Sequence, residues 1–252
     1  MSLPTPELAP TRYAIIIPVY NEAECLPLLL KEYQAELDER FIIAIGLNCS
    51  TDESDAIARQ YQCLVGSTPT KGYGHGCMAA IEAVRNDKDK NKTVKAYLFA
   101  AADGASSPQD LIRLAEQYEQ GYDFVIGQRL FTPRGWCQLS LQQKIGNIIL
   151  GLWASILSLY PWSDLGPTRL IDRSLFECMS LQEWVWGWTI EAQIKAAHLK
   201  SSIKSIPVRE RQRLAGTQKI SNRGVAHSLT IAFEIIKAGY RSRFYHLDKL
   251  NK

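Results

Sequence analysis

Five short segments of this chain place polar, charged or glycine residues directly after an apolar run. They are Asn21-Glu22, Asn48 to Asp52, Lys71 to Gly76, Asp103 to Ser107 and Gly127 to Arg129. If the apolar runs are parallel strands, these segments meet at the carboxyl edge of one sheet, where such sheets bind ligands. Together they are typical of a nucleotide site, although each segment alone is also compatible with ordinary turn chemistry.

Several other kinds of site are excluded or disfavoured by spacing. The dinucleotide fingerprint GxGxxG would join the first strand to the first helix, but Pro18-Val-Tyr-Asn-Glu22 stands there without a glycine. The sequence has no GxxxxGK[ST] phosphate loop, no metal-ligand spacing among its cysteines and histidines, and no nucleophile elbow. A nucleotidyltransferase is disfavoured because it would place a glycine-rich, basic loop after the first strand.

The elements that must position the five segments follow from the apolar pattern. Strands are predicted over 13–19, 41–45, 63–65, 94–101 and 122–126, with later strands over 168–171 and 203–208. Strand and helix alternate through residue 127. This alternation predicts an α/β fold with a mostly parallel central sheet flanked by helices on both faces.

The predicted helices begin at capping residues. Asn21 with Glu24 and Ser50 with Glu53 have capping-box spacing, and Ser107 precedes a proline suited to a first helical turn. A further helix follows the Lys71 loop to about residue 84. Later helices are predicted over 141–158, 189–198 and 224–239.

Length and composition predict one globular domain. The chain has 252 residues, of which 46% are hydrophobic and 22% charged. We expect a flexible leader over 1–11, a domain over 12–240 and a tail over 241–252. Within the domain, 12–127 would be the nucleotide-binding half and 128–240 the acceptor-binding half.

The net charge and the cysteine pattern indicate which kinds of partner and which cellular compartment to expect. A net charge of +3 is too small to indicate nucleic-acid binding. Six cysteines without a CxxC pair, and no signal-peptide pattern, predict a cytoplasmic protein with reduced thiols. The apolar run over 145–160 is too short to span a membrane and is expected to be a buried helix or one lying on a membrane surface.

The chain resembles family 2 glycosyltransferases of the GT-A fold, the fold of nucleotide-diphospho-sugar transferases. The resemblance runs from about residue 12 to 240 and rests on eight segments in order: IIIPVYNEAECL, NCSTDES, KGYGHGCMAAI, ADGASSPQDL, FVIGQR, DLGPTRLI, GWTIEAQ and IPVRERQRLAGTQKIS. The branch it resembles most contains dolichol- and polyprenyl-phosphate mannosyl- and glucosyltransferases.

This resemblance implies a set of residues that bind the nucleotide-sugar donor. They are Pro18, Tyr20, Asn21, Glu22, Asn48, Lys71, Gly72, Gly74, Ala102 and Asp103. Tyr20 can offer an aromatic face to the base and Glu22 an acceptor, while the glycines would allow the backbone to approach the nucleotide closely. Asn21 and Glu22 are equally compatible with the start of a helix.

The family's DxD motif, which holds Mg²⁺ or Mn²⁺ on the donor diphosphate, falls on Ala101-Ala102-Asp103. Asp103 is therefore the one implied metal ligand, and the first aspartate is replaced by alanine. A second departure follows the second strand, where Leu47-Asn48-Cys49 replaces Asp-Asp-Gly or Asp-Asn-Gly. A single carboxylate, helped by phosphates and water, is expected to hold a hard cation more weakly than a pair would.

The resemblance also implies phosphate-binding and catalytic groups. The phosphate-binding residues would be Arg129, Lys144, Arg169, Arg213 and Lys219, which would bind either the acceptor phosphate or the donor diphosphate and stabilise charge on the leaving diphosphate. The catalytic residues would be Asp164, then Glu191, as the base for a hydroxyl acceptor, together with Arg129. A phosphate acceptor is already anionic near neutral pH and needs no strong base.

The function implied is inverting transfer of a hexose from a UDP- or GDP-sugar to a polyprenyl phosphate, a sugar or another membrane-proximal acceptor. The protein would be cytoplasmic, with peripheral contact to the inner face of a membrane. The alternative is a catalytically impaired relative that binds nucleotide-sugars and has a regulatory role. Tryptophans at 153, 162, 184, 186 and 188 would either wall the acceptor site or belong to the core.

Overall fold

The computed structural model describes residues 12–129, 141–217 and 225–244. The strands are β1 (Arg12–Val19), β2 (Phe41–Asn48), β3 (Leu64–Thr68), β4 (Val94–Phe99), β5 (Phe124–Gln128), β6 (Arg169–Asp172) and β7 (Ile203–Pro207). The helices are α1 (Leu26–Glu36), α2 (Ser54–Gln60), α3 (Tyr73–Asn86), α4 (Lys88–Thr93), α5 (Pro108–Glu119), α6 (Leu141–Ser158), α7 (Arg173–Met179), α8 (Trp188–His198) and α9 (Val225–Arg243).

The seven strands form one sheet in the order β3-β2-β1-β4-β6-β5-β7. Only β6 runs antiparallel to its neighbours, β4 and β5. The carboxyl ends of the other six strands therefore lie at one edge, as the alternating sequence pattern predicted. The predicted α/β fold with a mostly parallel, helix-flanked sheet is confirmed.

The apolar strands separate two hydrophobic cores, one on each face of the sheet. In β1, Ile16 faces a core covered by α3, α6, α7, α8 and α9. Its neighbours Ile15 and Ile17 face a core covered by α1, α2 and α5. Strands β1 and β2 are buried on both faces, and this explains why they are continuous apolar runs rather than alternating ones.

Two predicted helix caps are wrong and one is confirmed. Helix α1 begins after Cys25 and α2 after Glu53, so neither Asn21 nor Ser50 is a cap. Ser107 does cap α5, where its hydroxyl accepts a hydrogen bond from the Asp110 amide at 3.2 Å. The short helices α4 and α7, each capped by an aspartate, were not predicted.

Two elements of the second half end later than predicted. Strand β5 extends to Gln128, where it pairs with β7. Helix α9 continues to Arg243, past the predicted end at 239. The predicted leader 1–11 and most of the predicted tail lie outside the described residues. Within the described part, no helix is long and apolar enough to cross a membrane.

Candidate functional site

The loops after β1 and β2 are tied together at the carboxyl edge. Asn21 has a positive φ of 54°, and its side-chain oxygen accepts a hydrogen bond from the Thr51 amide at 2.7 Å. The Asn21 amide in turn donates to the Ser50 hydroxyl at 3.1 Å. Asp52 accepts a hydrogen bond from the Ala23 amide at 2.9 Å. The polar residues that resemble helix caps in the sequence therefore connect two loops of the site.

Tyr20 and Lys71, both predicted to bind the donor, meet across this edge. The Lys71 ammonium lies 3.3 Å from the Tyr20 hydroxyl and 4.3 Å from the centre of its ring. An aromatic face beside a cation suits a nucleotide, because the ring can stack on a base and the ammonium can pair with phosphate.

Asn48, Gly72 and Gly74 build the wall of the site through contacts within the protein. The Asn48 side chain donates to the Gly72 carbonyl at 2.6 Å and accepts from its amide at 3.2 Å. A Cβ on Gly72 would lie 2.5 Å from the Trp184 carbonyl oxygen, and one on Gly74 would lie 2.5 Å from the Trp188 ring. These glycines therefore allow a close approach of the 184–188 segment, and their predicted role at the nucleotide stays a prediction.

Pro18 also lies against this wall. A Cβ on Gly76, in the first turn of α3, would be 2.9 Å from the Pro18 Cβ. Pro18 thus packs on the start of α3. The segment from Gly72 to Gly76 is rich in glycine because α3 begins directly against β1, β2 and the Trp184 backbone, which leaves no room for larger side chains.

The Asp103 turn lies under the loop that follows β7. The Leu214 amide donates to the Asp103 carbonyl at 2.9 Å, and Arg211 donates to the Gly104 carbonyl at 2.6 Å. Gly104 has a φ of 80°, and a Cβ there would lie 2.5 Å from the Leu214 side chain. Glycine is required both by this left-handed backbone and by the loop that packs on it.

The carboxylate of Asp103 fits one ligand position of a divalent ion but not a complete set. One of its oxygens accepts a hydrogen bond from the Ala105 amide at 3.0 Å. Ala102, in the middle of the DxD position, is buried in the hydrophobic core. Among the described residues, no group of three or more His, Cys, Asp or Glu side chains could hold a metal ion.

Two arginines in the loop after β7 form ion pairs with residues of the predicted nucleotide-binding half. Arg213 forms an ion pair with Glu22, and both side chains are about 15% exposed. Arg211 forms a bidentate pair with Glu32 on α1, with one contact at 2.6 Å. The predicted phosphate-binding residue Arg213 therefore lies at the carboxyl edge, next to the predicted donor residue Glu22.

Arg129 and Asp164 form a buried bidentate pair. The Arg129 guanidinium contacts the two Asp164 oxygens at 2.9 and 2.7 Å, and the Arg129 amide donates to the same carboxylate at 2.9 Å. Burial alone would lower the pKa of Arg129, but the Asp164 carboxylate raises it above its ordinary value. The Asp164 side chain is 0% exposed, so it positions Arg129 and does not face an acceptor as the predicted base would.

Glu210 completes this cluster and was not predicted from the sequence. Its carboxylate lies 3.2 Å from Arg129. Burial raises the pKa of Glu210, Arg129 opposes the shift, and the charges of Asp164 and Asp103 add to it. The rule that ligands bind beyond strand ends could have indicated Glu210, because it lies three residues after the end of β7.

Two further predicted site residues, Glu191 and Arg169, lie in the protein interior. Glu191, predicted as the second candidate base, is 2% exposed. Its carboxylate accepts hydrogen bonds from the amides of residues 182 and 183 and forms an ion pair with buried Lys195 at 2.6 Å. Arg169, predicted to bind phosphate, is 1% exposed and donates to the carbonyls of Gly166 and Thr189. Both predictions are corrected, since neither side chain reaches a surface on which a ligand could bind. Burial lowers the pKa of Arg169.

The remaining predicted groups divide between surface and core. Lys144 lies in the first turn of α6, and Lys219 lies outside the described residues. Trp188 and Trp162 are buried, which supports the core interpretation for them. Trp184 is 37% exposed and stacks on His75 with ring centres 5.6 Å apart.

Comparison with known proteins identifies the family. The model for "Glycosyl transferase family 2" matches residues 14–178, well over half of the chain. The chain belongs to glycosyltransferase family 2. The resemblance recognised from the eight segments is thereby confirmed at the level of the family. The part of the matched range that reaches the carboxyl edge includes Tyr20, Lys71, Asp103 and Arg129.

Curated relatives of this glycosyltransferase are distant. It is 23% identical over 207 residues to an uncharacterized glycosyltransferase of Mycobacterium tuberculosis, covering 82% of this chain and 88% of the relative. It is 26% identical over 207 residues to glycosyltransferase AglJ of Haloferax volcanii, covering 82% and 63%. It is 33% identical over 122 residues to the undecaprenyl-phosphate 4-deoxy-4-formamido-L-arabinose transferase of Pseudomonas syringae, covering 44% and 34%.

Solved structures show that the glycosyltransferase shares its fold with glucosyl-3-phosphoglycerate synthase of M. tuberculosis. The complex of that enzyme with uridine diphosphate superposes with a TM-score of 0.66 at 14% identity, covering 92% of this chain and 80% of the other. Another of its structures contains Mn²⁺, UDP-glucose and phosphoglyceric acid and gives a TM-score of 0.65, also at 14% identity. At this identity the likeness establishes the fold alone.

Proposed function

We propose that this glycosyltransferase moves a hexose from a UDP- or GDP-sugar to a polyprenyl phosphate with inversion at the anomeric carbon. The acceptor phosphate oxygen attacks C1 as the bond from C1 to the diphosphate breaks. The products are a glycosyl phosphoryl lipid and the free nucleoside diphosphate. Binding of UDP and UDP-glucose by the structural neighbours, and the undecaprenyl-phosphate acceptor named for one relative, support this class of reaction.

The donor would bind along the edge between the loops after β1, β3 and β4. Tyr20 would face the base, and Lys71, 3.3 Å from its hydroxyl, would pair with the diphosphate. Pro18, Asn21, Asn48, Gly72, Gly74 and Ala102 would support this surface through the contacts described above. Glu22 and Asp103 are the carboxylates that flank it.

Arginines would take up the negative charge that develops on the leaving diphosphate. Arg213 lies within reach of the donor edge because it is held by Glu22, and it would exchange this partner for a phosphate oxygen when the donor binds. Lys219 was predicted from the sequence as a further phosphate-binding cation and lies outside the described residues. Arg129, fixed by Asp164, would present its charge from the loop after β5.

Mg²⁺ or Mn²⁺, with Asp103 as its single protein carboxylate, would bind together with the donor. A hard cation needs several oxygen ligands, so the diphosphate and water would have to supply the others. When bound, such an ion neutralises charge on the diphosphate as a Lewis acid. The Mn²⁺ in structures of the neighbouring synthase supports this assignment.

One observation carries the choice of acceptor. Both acidic groups predicted from the sequence as a base for a hydroxyl acceptor are buried and bound, Asp164 to Arg129 and Glu191 to Lys195. An acceptor that is already anionic needs no proton removed, and a phosphate monoester carries its second charge at a pKa of about 6. Because the carboxylates of Asp164 and Glu191 are already paired with cations, a lipid phosphate is favoured over a sugar hydroxyl as the acceptor.

A hydroxyl acceptor is the second candidate, and Glu210 favours it. Burial raises the pKa of this carboxyl, and its side chain retains 15% exposure beside Arg129. A carboxylate with a raised pKa is a better general base than one with an ordinary value. In that case the sugar would be transferred to an alcohol, with Glu210 accepting the hydroxyl proton.

The test is a transfer assay with matched acceptors. Purified enzyme is incubated with UDP-glucose or GDP-mannose and either undecaprenyl phosphate or undecaprenol, and products are identified by mass spectrometry. The proposal expects a glycosyl phosphoryl lipid from the phosphate and none from the alcohol. Transfer to the alcohol, or no transfer to either with every donor tried, would overturn it.

A further inference from the structure

Helix α6 carries an apolar stripe that the fold leaves exposed. Its residues recur every three or four positions, so they lie on one face of the helix. Their exposure ranges from 50% to 60%, and they are Ile145, Ile148, Ile149, Leu152 and Ile156. Leu159, which directly follows the helix, is 93% exposed. The opposite face, with Leu150, Ala154 and Leu157, packs in the core. From 145 to 163 the sequence contains no Asp, Glu, Lys or Arg.

Helix α9 adds a second exposed stripe beside the first. Its exposed residues also follow helical spacing and are Leu229, Phe233, Tyr240 and Phe244. The two helices pack against each other, and the Trp153 indole on α6 donates to the Ile236 carbonyl on α9 at 3.2 Å. Contiguous exposed apolar surface of this kind marks a protein or membrane interaction site. We call it the α6–α9 face, defined by these two stripes.

Basic residues border the α6–α9 face. A shallow groove of about 400 Å³ between the helices is lined by Trp153, Ile236, Tyr240 and two cations, Lys237 and Arg241. In the sequence of α9, three basic residues after residue 236 accompany a single carboxylate, Glu234, which pairs with Lys237, while Arg241 pairs with Glu183 from outside the helix. An apolar groove with cations at its rim complements a lipid, whose acyl chains are apolar and whose headgroup is anionic.

We propose that the α6–α9 face binds the surface of an anionic phospholipid bilayer, with both helices lying in the plane of the interface. The stripes would enter the boundary between headgroups and acyl chains, with Trp153 and Tyr240 at headgroup level and Lys237 and Arg241 paired with anionic headgroups. Neither helix is long and apolar enough to span the membrane. This proposal does not depend on the proposed acceptor, because vesicles without any acceptor test it.

Charge disfavours a second copy of the chain as the occupant. A two-fold symmetric dimer places the same patch against itself. Lys237, Arg241 and Arg243 would then face their own copies, with Glu234 and Glu183 as the carboxylates that pair with the first two of them. Like charges brought together across an interface are unfavourable, whereas an anionic bilayer neutralises them.

The experiment is co-sedimentation of the full chain with vesicles of phosphatidylcholine, with or without phosphatidylglycerol. We expect binding that increases with phosphatidylglycerol and falls as salt is raised. Leu152→Glu and Ile149→Glu, each on the exposed stripe, should reduce partitioning about tenfold or more. Lys237→Ala combined with Arg241→Ala should remove the preference for phosphatidylglycerol.

Leu28→Glu is the matched control. Leu28 is 49% exposed on α1, which packs on the other face of the sheet, so this variant should bind vesicles like the wild type. Wild-type protein that stays in the supernatant with both vesicles would overturn the proposal. Equal losses in Leu28→Glu and Leu152→Glu would also overturn it, as would a stable dimer in sedimentation velocity that Leu152→Glu dissociates.

Discussion

Glu22 and Arg213 form an ion pair that joins the loop after the first strand to the loop after the last, across the carboxyl edge of the sheet. The two residues are far apart in sequence: Glu22 was predicted to bind the donor nucleotide and Arg213 to bind a phosphate. Arg213 also donates to the carbonyls of Ala215 and Thr217, which shapes its own loop. The pair thus holds a cation at the donor edge and closes the loop over the Asp103 turn.

Arg213→Ala should lower kcat/KM for the nucleotide-sugar by about 10²-fold, because it removes a cation from the leaving diphosphate. Steady-state kinetics with varied donor would measure this. Arg59→Ala is the control, since Arg59 pairs with Asp55 on the exposed face of α2. Unchanged kinetics in Arg213→Ala would show that this arginine only supports the loop.

Asp164→Asn should destabilise the fold by about 3–5 kcal/mol, because it leaves the buried Arg129 charge without its main partner. Urea unfolding would measure the loss. Asp55→Asn, which breaks an exposed pair, should cost about 1 kcal/mol or less. If Asp164 were instead the catalytic base, Asp164→Asn would abolish kcat while the free energy of unfolding stayed near that of the wild type.

Glu210→Gln should change how stability depends on pH. Because the pKa of Glu210 is raised in the folded protein, its protonated form is favoured there, and this contribution is full below the ordinary glutamate pKa. It is lost as pH rises through the raised value. The variant should therefore gain stability relative to wild type as pH increases over that range, as followed by urea unfolding from acid to neutral pH. A difference independent of pH would contradict the assignment.

Ala101→Asp should restore the first carboxylate of the DxD position and increase Mn²⁺-dependent affinity for the donor nucleotide by about tenfold. Calorimetric titration with Mn²⁺ and again with EDTA separates the metal-dependent part. Gains that are equal in Mn²⁺ and in EDTA would indicate that residue 101 does not face the diphosphate.

The sequence predicted the sheet well because buried parallel strands are continuous apolar runs. Strand β1 is an example, since Ile15, Ile16 and Ile17 serve two cores at once. The capping-box spacing wrongly predicted helix caps at Asn21 and Ser50, because the polar side chains that cap helices also form hydrogen bonds between loops. A local pattern does not distinguish these two uses.

The sequence pattern did not predict which side chains from distant segments form ion pairs. Glu191 and Asp164 were predicted as bases because acidic residues stand in matching segments, but burial and cationic partners depend on the assembled fold. Glu210 was missed for the same reason, since its contact with Arg129 joins β5 and β7 segments far apart in the chain.

The most direct test of the account is calorimetric titration of the wild type and of Lys71→Ala with UDP, GDP and their hexose conjugates, each with and without Mn²⁺. We predict that one nucleotide binds selectively, more tightly with Mn²⁺, and that Lys71→Ala weakens it. Absence of binding by all of these ligands, or equal binding by wild type and Lys71→Ala, would contradict a donor site at the carboxyl edge.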